Sequence, residues 1–311
     1  MIDRTEVRIG CTSPLGTEWS VAGWLTVPEP AVRGELQILL HGGSYDHRYW
    51  DWPLDRETYS YVEYCRRSGH ATLAIDRVGS GASSRPPGRL NTAAAQADAL
   101  REIVTAARDG SLAGIAFERV VLVGHSFGSI LAGLAASENG DVDAVVFTGH
   151  LGIDSGAMDD DPRSGILFHD VAEDPVVAHL CGLVDDGYLT LRSEARVPTF
   201  YVAENADERV LDVDEKIKGV MTLGEISDMG TAAEAWERID VPVLALVGEN
   251  DVMMFDSDIE VDTYQAVNRV KGKAPENFSF QVVPATGHNV NLHRNARSSY
   301  EHILRWLASL A

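Results

Sequence analysis

The sequence predicts an α/β protein with a mostly parallel central sheet and helices on both faces. Short apolar runs bounded by turn residues recur along the chain, helical stretches separate the later ones, and the last part of the chain returns to the same alternation. Strands are expected near residues 6–10, 19–27, 36–40, 71–75, 120–123 and 144–148, with helices over 57–67 and 91–107. The pattern resumes at 241–247, a continuous apolar run whose Pro242 lies near the start, where a missing N–H is tolerated. Phe278, Phe280 and Val282 then alternate with Ser279 and Gln281 as a half-buried strand. Tyr300, Ile303, Leu304, Leu307 and Leu310 share one face of a closing helix. Between these parts, residues 151–240 interrupt the sheet as an insertion, so that 1–150 and 241–311 are two parts of one core.

The chemistry-bearing residues sit at the ends of these runs. Arg119-Val120-Val121-Leu122-Val123-Gly124-His125-Ser126-Phe127-Gly128 carries an apolar strand into G-x-S-x-G, and small, apolar residues suited to a helix follow. A serine on such a strand-to-helix turn is presented on a sharp bend, with Gly124 and Gly128 small enough for neighbouring backbones to pass close. Ser126 is therefore the candidate nucleophile, weighed against an ordinary helix N-cap serine. Asp251 follows the strand at 241–247 through Gly248-Glu249-Asn250, and His288 follows the strand at 278–282 through Ala285-Thr286-Gly287. The order Ser126, Asp251, His288 is that of a nucleophile, an orienting acid and a base built on a strand-to-helix elbow. Glu249, Asp256, Asp258 and above all Asp154 are rival acids. His293 and His302 are rival bases, but only His288 follows a predicted strand with Gly before it.

Upstream, residues 36–40 run into His41-Gly42-Gly43-Ser44, where glycine lets a backbone N–H face a cavity. The N–H groups of Gly43 and Phe127 are the expected oxyanion donors, and Ser44, Tyr45 and His125 beside them are candidate substrate contacts. Tyr45, Asp46, His47, Tyr49, Trp50 and Trp52 form an aromatic and polar cluster that either walls the pocket or packs as a surface loop. Met253, Met254 and Phe255 read as core.

On these motifs the chain resembles the α/β-hydrolase fold family, and the resemblance covers nearly all of it. His41-Gly42-Gly43 is similar to the family's oxyanion loop, and Asp76-Arg77-Val78-Gly79-Ser80-Gly81-Ala82-Ser83 to its loop after the fourth strand. The elbow, acid and histidine follow in order. The resemblance implies that the insertion at 151–240 serves as a lid, and that the substrate is an ester, lactone or thioester; a lid with an acidic outer face and an apolar underside would favour a small, largely apolar molecule. Serine at the elbow argues against the epoxide hydrolase and dehalogenase branches, whose nucleophile there is Asp. Amide hydrolysis, C–C bond hydrolysis and acyl transfer or cyclisation on the same triad stay open, as does a non-catalytic ligand receptor on a hydrolase scaffold.

Composition sets bounds on the rest. The 311 residues are 45% hydrophobic, enough for a sizeable core. No stretch approaches the roughly 18 consecutive apolar residues of a membrane span. The start Met1-Ile2-Asp3-Arg4 shows no secretory pattern, and Cys11, Cys65 and Cys181 are too few and scattered for a disulfide framework or a zinc site. A cytoplasmic setting is the expectation. A net charge of −21 disfavours nucleic acid as a partner. The excess is concentrated in 151–240, with 21 acidic against 7 basic residues, expected mostly on a solvated face. Gly79-x-Gly81 lacks the third glycine of a dinucleotide fingerprint, and neither G-x-x-x-x-G-K-[ST] nor H-E-x-x-H occurs. No cofactor and no metal are expected; the oligomeric state is left open.

Overall fold

A computed structural model describes residues 2–28, 34–139, 141–151, 167–253, 267–268, 271–272 and 274–310. The strands are β1 (Ile2–Thr12), β2 (Glu18–Val27), β3 (Glu35–Leu40), β4 (Ala71–Ile75), β5 (Arg119–His125), β6 (Ala144–Thr148), β7 (Phe168–Asp170), β8 (Tyr188–Leu191), β9 (Met221–Thr222), β10 (Val243–Gly248) and β11 (Phe278–Val283). The helices are α1 (Arg56–Tyr59), α2 (Tyr61–Arg67), α3 (Ala93–Asp109), α4 (Phe127–Asn139), α5 (Ser193–Phe200), α6 (Glu208–Lys216), α7 (Leu223–Ala233) and α8 (Ala296–Ser309). Eight strands form the main sheet in the order β1-β2-β4-β3-β5-β6-β10-β11. It is parallel from β4 to β11 and antiparallel only where β2 meets β1 and β4. The α/β architecture expected from the sequence is present.

The two-residue period of the strands explains why helices cover both faces. Ile38 and Leu40, Val120 and Leu122, and Val243, Ala245 and Val247 join one apolar cluster with residues of α3 and α4. The intervening Leu39, Val121, Val123, Leu244 and Leu246 join another with residues of α2 and α8. In α8, Tyr300, Ile303 and Leu307 are buried, as the helical spacing requires. Thr92 caps α3 by accepting a hydrogen bond from the Ala95 N–H, and Gly110 ends it in a left-handed conformation.

Local chemistry shifts one expected element. The helix expected over 57–67 is broken at Ser60, which is extended. Its hydroxyl donates to Asp51 Oδ1 at 2.8 Å and also accepts the Glu63 N–H, so α2 starts afresh from its own cap.

Within the span expected as an insertion, β7, β8 and β9 make a separate antiparallel sheet. α7 packs instead on α3 and α4 at the flank of the main sheet. Trp236 packs edge-on against Phe278 in the core. Cys11, Cys65 and Cys181 are unpaired. Among the described residues no helix is long and apolar enough to cross a membrane.

Candidate active site

The candidate residues sit at the carboxyl ends of β3, β5 and β10 and on the loop after β11. Ser126 lies between β5 and α4 with φ of 52°, a left-handed conformation that side chains rarely adopt, and its N–H is held by the Thr148 carbonyl at 2.8 Å. The flanking glycines are sterically required. A Cβ on Gly124 would stand 2.4 Å from the Gly128 carbonyl oxygen, and one on Gly128 2.3 Å from that of Leu40. The second contact presses the elbow against the start of the His41-Gly42-Gly43 loop, and the Ser126 Cβ lies beside Gly42.

Asp251 and His288 form a buried pair, Nδ1 of the histidine standing 3.0 Å from each carboxylate oxygen. A carboxylate only accepts, so Nδ1 carries the proton and Nε2 is free to receive one. Asp251 Oδ1 is also held by the Met253 N–H at 3.0 Å. The His288 ring lies 4.9 Å from that of His125, the residue before Ser126, and Phe200 at the end of α5 stacks over it at 5.5 Å. Among the described residues no hydrogen bond joins the Ser126 hydroxyl to His288, whose ring is bonded to Asp251. The Gly43 N–H enters none of the loop and turn hydrogen bonds of the described residues, and Phe127 opens α4, where the first-turn amides have no partner within the helix.

The rivals that are described have other duties. His293 Nε2 accepts the N–H groups of Val202 and Gly287 while Nδ1 donates to the Asn289 carbonyl, so it ties loops together as a neutral ring. His302 lies on α8. Glu249 accepts the Ala285 N–H. Asp154, Asp256, Asp258, Met254 and Phe255 lie outside the described residues.

Ser44, Tyr45 and His125, expected to touch substrate, are instead buried in a polar chain. Ser44, itself at φ of 56°, receives Arg196 Nη1 on its hydroxyl at 3.2 Å. Arg196 forks onto Asp214 at 3.1 and 2.9 Å. The Tyr45 hydroxyl donates to Asp214 at 2.8 Å and accepts from Asn289 Nδ2 at 2.7 Å. Asn289 Oδ1 then meets His125 Nε2 at 3.2 Å, and His125 Nδ1 meets Thr148 Oγ1 at 3.2 Å. Burial, and then the nearness of the His288 imidazole, hold His125 well below the ordinary histidine range. The reason for the correction is direction: neighbours in sequence of a site residue can face the core, where paired polar groups brace the site. Tyr49, Trp50 and Trp52 are likewise fully buried core. Asn289, Arg196, Asp214 and Met221, whose sulfur lies against Gly43, carry no motif that marks them in the sequence.

One acidic and histidine cluster among the described residues, Asp46, His47 and Asp76, brings potential ligand atoms within 4.8 Å of one another. Its atoms are already spent: His47 meets Asp76 at 2.8 Å, and Arg48 forks onto Asp46.

The alpha/beta hydrolase family profile matches residues 37–297. The chain belongs to this family and is a hydrolase. Among solved structures, an esterase from Thermogutta terrifontis superposes with a TM-score of 0.63 at 18% identity, covering 98% of this chain and 99% of that one. The carboxylesterase CesB from Bacillus subtilis gives 0.64 at 15% identity, with 99% and 93% covered. A Paleococcus ferrophilus monoacylglycerol lipase gives 0.60 at 18%, with 99% and 100% covered. At such identities the likeness is one of fold. No curated protein matches the sequence significantly.

Proposed function

We propose that the protein is a serine hydrolase that cleaves a carboxylic ester, lactone or thioester of a small, largely apolar molecule through an acyl-enzyme. The observation that carries this reading is the buried Asp251–His288 pair, whose histidine ring lies 4.9 Å from that of His125, the residue before a serine in left-handed conformation at a strand-to-helix turn. In the first step His288 Nε2 takes the proton of Ser126 as its oxygen attacks the carbonyl carbon, while Asp251 holds the ring and stabilises the imidazolium. The N–H groups of Gly43 and Phe127 receive the oxyanion. The leaving group departs with the proton from His288, and water, activated by the same ring, releases the acid.

Two features support an apolar acyl group: Phe200 stacks over His288 and the Met221 thioether rests on Gly43, both delivered from the span between β6 and β10. On this reading, Phe200 and Met221 belong to the cover over Ser126, and α7 belongs with the core. The esterase and lipase neighbours point the same way by analogy of fold. A fluorophosphonate probe tests the proposal, because it labels an activated serine and ignores an inert one. Labelling of the wild type at Ser126 together with turnover of a short-chain ester is the expected result. A protein that shifts its melting temperature with ligand but neither labels nor turns over would be a binding module.

A further inference from the structure

We propose that Arg77 is a positioning residue that holds both oxyanion donors from behind; this rests on the assignment of Ser126, Gly43 and Phe127 above. Arg77 follows β4 and is buried. Its Nε donates to the His41 carbonyl at 3.0 Å and its Nη2 to the Gly42 carbonyl at 3.2 Å. Nη1 donates to Gln96 Oε1 at 2.9 Å and to the Glu225 carboxylate from α7. The guanidinium carbon stands 4.8 Å from the ring centroid of Phe127. One side chain therefore touches the peptide that ends in the Gly43 N–H and the residue that owns the other donor.

The physical link is the planarity of the peptide. The Gly42 carbonyl and the Gly43 N–H belong to one trans unit and point in opposite directions, so a donor that fixes the oxygen fixes the aim of the N–H. Positive charge at the oxygen also polarises the amide toward a stronger donor. Glycines at 42 and 43 supply no side chain to restrain that peptide, so the restraint has to come from outside. His41 completes it: its Nδ1 donates to the same Gly42 carbonyl at 2.8 Å, and its Nε2 accepts the Arg77 N–H at 3.1 Å. A purely structural role accounts for less, because a buried ion pair adds little net stability over an apolar pair. Such a role gives no reason for two N–H donors of the one guanidinium to end on the carbonyls of this loop.

The test uses the full-length protein and Arg77→Lys, which keeps the charge opposite Glu225 but loses the fork, with the charge-neutral double variant Arg77→Met/Glu225→Gln as a second route. Thermal melting checks that each folds. The readouts are kcat and KM on p-nitrophenyl butyrate and the Ki of a trifluoromethyl ketone. The Ser126 oxygen adds to that ketone's carbonyl carbon, its proton passing to His288, and the hemiketal oxygen then occupies the oxyanion position. Outright loss of an oxyanion donor costs about 10²–10³ in kcat, so a misaimed one should cost about 10–100-fold, with KM changed by less than about 3-fold. The Ki should rise in step with the fall in kcat/KM. A folded variant with unchanged kcat and Ki, or one in which only KM rises, overturns the proposal. Ser126→Ala run alongside separates the two readings. If it still turns over, the nucleophile assignment fails; if it is inactive while Arg77→Lys matches the wild type, only the positioning role fails.

Discussion

Ser126 holds φ of 52° because the turn around it leaves no other course, with Gly124 and Gly128 crossing neighbouring backbones at distances no Cβ allows. Ser126→Ala should abolish fluorophosphonate labelling and leave only the roughly 10³–10⁴-fold acceleration over water that oxyanion donors and binding supply. Undiminished turnover would remove Ser126 from the mechanism. Asp251 sits 3.0 Å from His288 Nδ1 and fixes its tautomer; Asp251→Asn should cost on the order of 10⁴ in kcat, and Asp154→Asn little. The reverse pattern would move the acid to the end of β6. These candidates were legible in the sequence because each follows a recognisable strand and has a glycine one to three residues before it. Ser44, Tyr45 and His125 were misread for a reason of the same scale. Sequence adjacency places a backbone near the site, but the side-chain direction is decided by the turn, and here it turns each one into the core.

At the scale of elements, the sheet strands and the closing helix were legible from period and length, whereas the β7–β9 sheet was not. Its strands run only 2 to 4 residues, too short for an apolar period to register. The acidity of 151–240 was only partly understood as a solvated face. Asp174, Asp207, Asp214 and Glu225 are buried, meeting Lys218, Arg209, Arg196 and Arg77 respectively. The Arg196–Asp214 pair joins α5 to α6. Arg196→Met should destabilise the protein by about 3–5 kcal/mol, since it strands a buried carboxylate, and a denaturant melt would measure it. A loss below about 1 kcal/mol would show the site to be wet. Arg196 is thus taken and cannot greet an anionic substrate. Of two matched esters, the acyl chain ending in methyl should show the higher kcat/KM, and the margin over its carboxylate-ended partner should narrow with salt if exposed acids such as Glu194 and Glu204 repel it. A margin indifferent to salt would place selectivity in shape and desolvation, and a preference for the carboxylate would contradict the apolar cover.

The whole molecule buries several histidines as neutral rings. Burial is the first cause that lowers His41, His125, His150 and His293, with His150 brought from 6.5 to about 4. Each such ring binds its proton more readily in the unfolded chain. Its stabilisation is therefore complete above about pH 6.5 and is lost as pH falls toward the folded value. The urea midpoint should drop between about pH 6.5 and 4, and His150→Gln should flatten part of that slope. A midpoint level across the window would mean that these rings are accessible to protons in the native state. The same burial marks where sequence reading ends. The α/β architecture and the candidacy of Ser126, Asp251 and His288 followed from local pattern, because strand period and turn residues act between neighbours in the chain. The bracing of the site by Arg77, Arg196, Asp214 and Asn289 was decided by tertiary structure alone. Each of those side chains meets partners from distant segments, such as Arg77 with Glu225 and Tyr45 with Asp214, and the free energy of a buried polar contact exists only once packing has removed the water.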